Sequence, residues 1–248
     1  MAYQFIECND INDWNNFVKS SPQGNLFCYT NYFDLISDKY RLFFVLKNEE
    51  IYAGVGILMD KNNKLIPFLE NYQGILYSNI FNKLKLHSRI PKLHEVTEFI
   101  LIELKKLFSK INLSLHYSIE DMRPFQWYNY HEEDHNKIDL KLRYTCILNL
   151  LKIKNLDSFL TDIRRVRRRE FHKALKNNLT IEESNDVSIL DNLHGKMFFS
   201  QGIERSNYEI DCLKNIAKSS INNDFGKLFV CFTKEKIPCA SYLMLFDE

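Results

Sequence analysis

The stretch DIRRVRRREFHKALKNN, residues 162–178, places five arginines within the six positions 164–169 of a chain whose formal net charge is only +1. Guanidinium groups at that density can grip phosphate or carboxylate through paired N–H donors. At about 100° per residue, Arg165, Arg168, Arg169, His172 and Lys176 fall on one side of a helix, with Lys173 at the edge. Leu156, Phe159, Leu160, Ile163, Val166, Phe171 and Ala174 fall on the other side, a core-facing stripe on a helix that Asn155 or Asp157 can cap. The basic stripe admits three readings: a solvated face, a site for a phosphate-bearing ligand, or a grip on duplex nucleic acid. With 33 basic and 32 acidic residues no global field supports the last, so duplex DNA is not an expected partner. Arg167 stands inside the apolar arc, with Glu170 three residues on. The two suit a partly buried structural ion pair, or else Arg167 reaches a ligand phosphate or carboxylate.

HEEDH, residues 131–135, matches the spacing in which two histidines one helical turn apart bind Zn²⁺ and the Glu acts as general base. Its polar, Asn- and Asp-rich flanks and the lack of an evident third ligand favour a surface loop, so no metal is expected. Cys8, Cys28, Cys146, Cys212, Cys231 and Cys239 are scattered, without a C-x-x-C pair, mostly among apolar neighbours. That pattern predicts reduced, buried thiols in a cytoplasmic protein. The opening MAYQFIECN lacks the basic start and apolar run of a secretory signal, and no apolar stretch approaches the roughly 20 residues of a membrane-spanning helix.

These groups need a scaffold. A chain of 248 residues, 45% hydrophobic and 26% charged, has the composition of one large or two modest globular domains. DINDWNNFVKSS and TNYFDLISD read as helices separated by the turn-rich SPQGNLF. YRLFFVLKN and EIYAGVGILMD read as a hairpin, KLIPFLENYQGILYS as a further strand, LHEVTEFILIELKKLFSKI as a long helix, and NLSLHYSI as the next strand. RYTCILNLL then predicts a strand before the basic helix. LTIEESND predicts another, helices span 187–220, and GKLFVCFTKEKIPCASYLMLFDE forms a closing hairpin turning at Lys234–Lys236. FFVLKNEEIYAGVGILMD and LFVCFTKEKIPCASYLMLFDE resemble each other, a weak internal repeat. Nothing follows the second hairpin, so the repeat is expected to be incomplete or the chain to be a fragment.

SSPQGNLFCYTNYFDLI, NYQGILYS, RYTCILNL with RREFHKALKNNLTI, and IPCASYLML together resemble the FemAB-like branch of the GNAT acyltransferase superfamily, in particular the acetyltransferase-like domains of polysaccharide loci. The similarity to the family's Arg-Arg-x-apolar-basic-Lys-Ala-x-Lys helix rests on Arg168, Arg169, Phe171, His172, Lys173, Ala174 and Lys176; His172 stands where the family more often has a charged residue. The resemblance implies an α/β fold of tandem GNAT-like units, residues 1–145 and 146–248, with mixed sheets flanked by helices and the second unit truncated. It implies N-acylation of a small-molecule amine, such as a nucleotide-linked amino sugar or another cell-envelope precursor. Acyl-CoA, such as acetyl-CoA, would be the donor. Aminoacyl-tRNA is the less favoured one, because no coiled-coil insertion is visible. On this reading Arg164, Arg167, Arg168 and Lys173 hold phosphates. Tyr29, Tyr72, Gln73 and Gly74 line an acceptor cleft that Gln201 reaches from the second half. Tyr29 and Tyr72 also read as core-edge aromatics, and Gln201-Gly202 as a helix-ending turn. No residue reads as catalytic, and a non-catalytic anion-binding module that lacks a donor site is the rival expectation.

Overall fold

The structure, a computed structural model, describes residues 2–62, 71–132 and 137–247. The chain divides into two compact units, Met1–Arg143 and Tyr144–Glu248.

The first unit opens with a strand that the sequence pattern did not reveal, β1 (Gln4–Glu7), followed by α1 (Ile11–Ser20) and α2 (Thr30–Ile36). Asp10 caps α1, its carboxylate accepting from the backbone N–H of Asn12 at 2.7 Å. The expected hairpin is β2 (Lys39–Lys47) and β3 (Glu50–Met59). Its connection is Asn48-Glu49, at φ 51° and 66°, the paired left-handed residues whose turn matches the twist of the flanking strands. With β4 (Ile75–Tyr77) the sheet order is β1-β2-β3-β4, antiparallel at every pairing.

The runs LFFVL and AGVGILM show no polar alternation because this sheet is covered on both faces. Phe43, Val45, Val55, Ile57, Ile75 and Tyr77 pack with Val96, Ile100 and Leu104 of α3 (Leu86–Leu107). On the opposite face Phe44 stacks against Trp14, with centroids 5.7 Å apart, and meets Phe17 edge-on at 5.2 Å. Gly54 permits that approach, since a Cβ there would lie 2.8 Å from the Phe17 ring. A short helix, α4 (Arg123–Gln126), follows.

Two expected strands are not formed. In NLSLHYSI, Leu113 and Leu115 pack half-buried against the core, and the Ser114 hydroxyl meets the Tyr72 N–H at 3.4 Å. A side-chain contact thus stands in place of a ladder. In RYTCILNLL, Tyr144, Ile147 and Leu148 are exposed, and the segment has no partner strand among the described residues. Strand propensity without cross-strand neighbours does not hold a strand. Residues 64–70 of the KLIPFLENYQGILYS run, and Glu133, Asp134 and His135 of HEEDH, lie outside the described residues.

The second unit contains α5 (Leu156–Asp162), α6 (Arg165–Lys176), β5 (Thr180–Ser184), α7 (Val187–Ser200), α8 (Asn207–Asn222), β6 (Gly226–Phe232) and β7 (Pro238–Leu245). Its sheet, ordered β5-β6-β7, is also antiparallel. The sheets expected to be mixed are therefore antiparallel among the described strands, as tight hairpin turns at Asn48-Glu49 and near Lys236 require. Val187 and Leu190 of α7 and Ala217 of α8 bury Leu228 and Val230 of β6.

The single helix expected over 155–176 is two. Asn155 caps α5, accepting from the Ser158 N–H at 2.8 Å, and the helix ends at Ile163, where Arg164 is extended with ψ 139°. No proline or glycine lies at the break. Neither helix buries a residue fully, and Val166 is 60% exposed, so the stripe expected to face the core is only partly covered. Amphipathic spacing decides which face is apolar, not whether a partner covers it. The thiols differ too: Cys28 and Cys212 are buried, Cys8 and Cys231 half-buried, and Cys146 and Cys239 exposed. Among the described residues no helix is long and apolar enough to cross a membrane.

Candidate functional site

The segment entering β4 is unusual at each residue. Tyr72 has φ 56°, a left-handed backbone that costs a non-glycine residue about 1–3 kcal/mol. The Cys28 thiol, donating to the Tyr72 carbonyl at 3.2 Å, and the Ser114 hydroxyl at its N–H hold that conformation. Gly74 passes so close to the following segment that a Cβ would stand 2.8 Å from the Ser114 carbonyl oxygen. Between them Gln73 is 6% exposed, and neither its Oε1 nor its Nε2 has a hydrogen-bond partner among the described residues. Buried amides left unpaired cost about 1–3 kcal/mol per group, so they mark strain, chemistry or a partner outside the protein.

Aromatic rings border this amide's segment. The Tyr72 ring lies 6.4 Å from Phe27, 5.4 Å from His116 and 6.0 Å from Tyr117, centroid to centroid. Tyr29 is half-buried and forms the N-terminal cap position of α2, its carbonyl accepting from Tyr32 and Phe33, both at 3.1 Å. The thiol of Cys28 thus ties the 27–29 segment to Tyr72, bringing together two of the segments singled out from sequence.

Residues that sequence reasoning passed over complete the framework. Ser21 donates its hydroxyl to the Tyr77 carbonyl at 2.9 Å, and Gln23 Oε1 accepts the Tyr77 N–H at 2.9 Å. These two side chains of the Ser-Pro-x-Gly segment satisfy the free edge of β4. Gln23 Nε2 also reaches Ser118 Oγ at 3.5 Å, and that hydroxyl stands 2.8 Å from His116 Nδ1. The Ser118 N–H donates to the same ring nitrogen at 3.2 Å, which leaves the ring proton on Nε2. Burial lowers the His116 pKa below the ordinary histidine value, so the ring is neutral at neutral pH. The available signal was His116 itself, a titratable residue inside an apolar run.

In the second unit, Arg165, Arg168, Arg169 and His172 share one face of α6 and line a shallow, open hollow of ≈ 260 Å³. Arg168 Nε is buried without a partner among the described residues, and no side chain caps the start of α6. Free amides and a guanidinium row at one helix end favour an anion. Of the four residues chosen from sequence as phosphate ligands, Arg168 alone lines this hollow. Arg164 precedes α6 and offers its carbonyl to the Arg168 N–H at 3.2 Å. Lys173 lies exposed further along the helix. Arg167 pairs with Glu170 at 2.7 Å as expected, but both side chains are exposed rather than partly buried, so the pair is worth at most about 1 kcal/mol.

Gln201 closes α7, its N–H donating to the Phe198 carbonyl at 3.0 Å, and Gly202 follows at φ 70°, a helix-ending turn. That loop is pinned by Arg205, which meets Asp191 at 2.8 Å and His194 Nδ1 at 3.1 Å, while Lys214 meets Asp191 at 3.0 Å. Burial opposes ionisation of Asp191, but the two cations outweigh it and hold its pKa below the ordinary carboxylate value. Among the described residues no three His, Cys, Asp or Glu side chains are grouped to hold a metal.

No protein-family model matches the chain, and no curated protein matches it. Among solved structures it is similar to one described as the crystal structure of FemX, with a TM-score of 0.50 and 16% identity, covering 93% of this chain and 57% of that one. The chain therefore has a FemX-like mixed α/β fold and spans little more than half of the FemX chain.

Proposed function

We propose that the chain is a transferase that places an acyl group on the amine of a nucleotide-linked amino sugar or related cell-envelope precursor, with acyl-CoA as donor. The observation that carries this reading is the Gln73 amide, buried without a partner among the described residues and adjoining in sequence Tyr72, whose ring contacts Phe27 and Tyr117. An amide offers one acceptor and two donors, the complement of sugar hydroxyl and amine groups, and aromatic faces suit the apolar side of a sugar ring. The α6 hollow of the second unit is an anion site in its own right, its guanidinium donors suited to a diphosphate. The FemX-like fold agrees with a transferase.

In such a reaction the neutral amine attacks the thioester carbonyl. The N–C bond forms, the C–S bond breaks, CoA leaves as the thiol, and the amine gives up a proton. Holding the amine against the carbonyl removes much of the barrier. His116, neutral with its proton on Nε2, is a donor for a substrate hydroxyl or carbonyl oxygen.

The test is calorimetric titration of the chain with a UDP-linked amino sugar, UDP and acetyl-CoA. Arg168→Ala with Arg169→Ala is expected to weaken UDP and the sugar nucleotide alike by about tenfold, with affinity falling as salt rises. Sugar-nucleotide binding without acetyl transfer from acetyl-CoA would make the chain an anion-binding module instead. No binding of either nucleotide would remove the proposal.

A further inference from the structure

Two of the six cysteines are neighbours across the C-terminal hairpin. In the β6–β7 register Cys231 faces Ala240 and Phe232 faces Pro238, so Cys239 is the extra residue of a one-residue bulge. In such a bulge two residues of one strand oppose a single residue of the other, and here Cys239 and Ala240 oppose Cys231. Opposed residues of an antiparallel pair stand roughly 4.5–5.5 Å apart at Cα, inside the range that a disulfide spans. The Cys239 thiol donates to the Cys231 carbonyl at 3.4 Å.

Neither thiol serves the core. Side chains alternate along β6, so Cys231 projects from the face opposite Leu228 and Val230, which are the residues buried by α7 and α8. Cys231 is half-buried and Cys239 exposed. An oxidant in solution therefore reaches Cys239 directly, with a second thiol already in place to resolve the product.

We propose that Cys231 and Cys239 form a dithiol site on the outer face of the C-terminal sheet that a peroxide converts to a disulfide. The Cys239 thiolate attacks the peroxide O–O bond, forming an S–O bond and releasing water once the leaving oxygen is protonated. Cys231 then loses its proton and attacks the sulfenic sulfur; the S–S bond forms and the sulfenic oxygen leaves as a second water. Two thiols and one hydrogen peroxide become one disulfide and two waters. The order follows from exposure, and it is reinforced at Cys231, where burial and the adjacent thiol raise the pKa and disfavour the attacking thiolate.

The experiment treats the full chain with less than one equivalent of hydrogen peroxide, blocks remaining thiols by alkylation, and maps tryptic peptides without reduction. Trypsin cuts after Lys234 and Lys236, so a Cys231–Cys239 bond joins two separate peptides. The expected result is that this cross-link forms before Cys8, Cys28, Cys146 or Cys212 is modified, and that dithiothreitol reverses it. In Cys231→Ser the product becomes a dimedone-reactive sulfenic acid on Cys239. Oxidation of Cys239 in the unmodified chain without the cross-link, a bond to another cysteine, or a bond between two copies of the chain would each overturn the proposal. The wild-type map decides it even if the serine variant folds poorly.

Discussion

Replacing Gln73 with Met is expected to stabilise the unliganded chain while weakening its ligand. Met preserves the unbranched length of Gln but removes an amide whose two polar atoms are buried without a partner among the described residues. An unpaired buried group costs about 1–3 kcal/mol, and an apolar replacement of similar shape removes that cost. Allowing for imperfect fit of the thioether, the gain is about 2 kcal/mol, and at about 2–4 °C per kcal/mol it raises the melting temperature by roughly 4–8 °C. In the ligand-bound state the sign reverses, because the hydrogen bonds made to the amide are lost. Affinity for the free amino sugar is expected to fall about tenfold. Thermal unfolding followed by circular dichroism reads the first effect and calorimetric titration the second. A structural glutamine whose partners are satisfied would give the opposite stability change. A fall in melting temperature, or an unchanged affinity for the free amino sugar, refutes the assignment of Gln73 as a ligand-facing amide.

Gly74→Ala places a Cβ 2.8 Å from the Ser114 carbonyl oxygen and 2.9 Å from Leu115 Cδ2. Because the nearest atom is backbone, the change is expected to lower stability by about 1–3 kcal/mol, seen as a lower urea midpoint at unchanged slope. Glu49→Gly relieves a left-handed residue in the β2–β3 turn and is expected to raise stability by about 0.5–1 kcal/mol in the same assay. Burial lowers the pKa of His116, and burial with the Arg205 charge lowers that of His194, both from the ordinary value of 6.5. Below that value the unfolded chain binds more protons than the folded one. The stability these two neutral rings contribute is therefore fully present above pH 6.5 and is lost as pH falls through their folded values. Urea midpoints measured down from pH 7 are expected to fall less steeply in His116→Asn with His194→Asn; an unchanged slope removes the assignment.

What the sequence made legible was local. Asn155 caps a helix through the next turn, and Asn48-Glu49 joins two apolar runs at hairpin spacing. In each case the partners lie within a few residues, where propensity and spacing decide. The misses are contacts made over distance. Whether NLSLHYSI pairs as a strand depends on Ser114 meeting Tyr72, 42 residues earlier, and the edge of β4 is closed by Ser21 and Gln23, 56 and 54 residues from Tyr77. No periodicity encodes those approaches. The basic helix shows both sides: its spacing correctly placed Arg165, Arg168, Arg169 and His172 on one face, but not the break at Arg164 or the exposure of Val166. Gln73 was visible as a residue type next to a glycine. Only the fold shows that its amide is buried and unpaired.

That difference separates what the two candidate surfaces can contribute. Apart from the buried Arg168 Nε, the α6 guanidinium groups line an open hollow, where water and salt screen their charges and any phosphate that arrives meets the same donors. Such a surface speeds encounter and adds affinity without strong discrimination. Gln73 lies where water is excluded, and a ligand that fails to pair its amide leaves the full desolvation cost in place. A site built to hydrogen-bond a polar substituent rejects an analogue lacking it far more strongly than an apolar pocket rejects a missing methylene. Selectivity among amino sugars is therefore expected to follow substitutions at Gln73 and to persist in high salt, while phosphate affinity at the α6 hollow follows Arg168 and Arg169 and decays as salt rises.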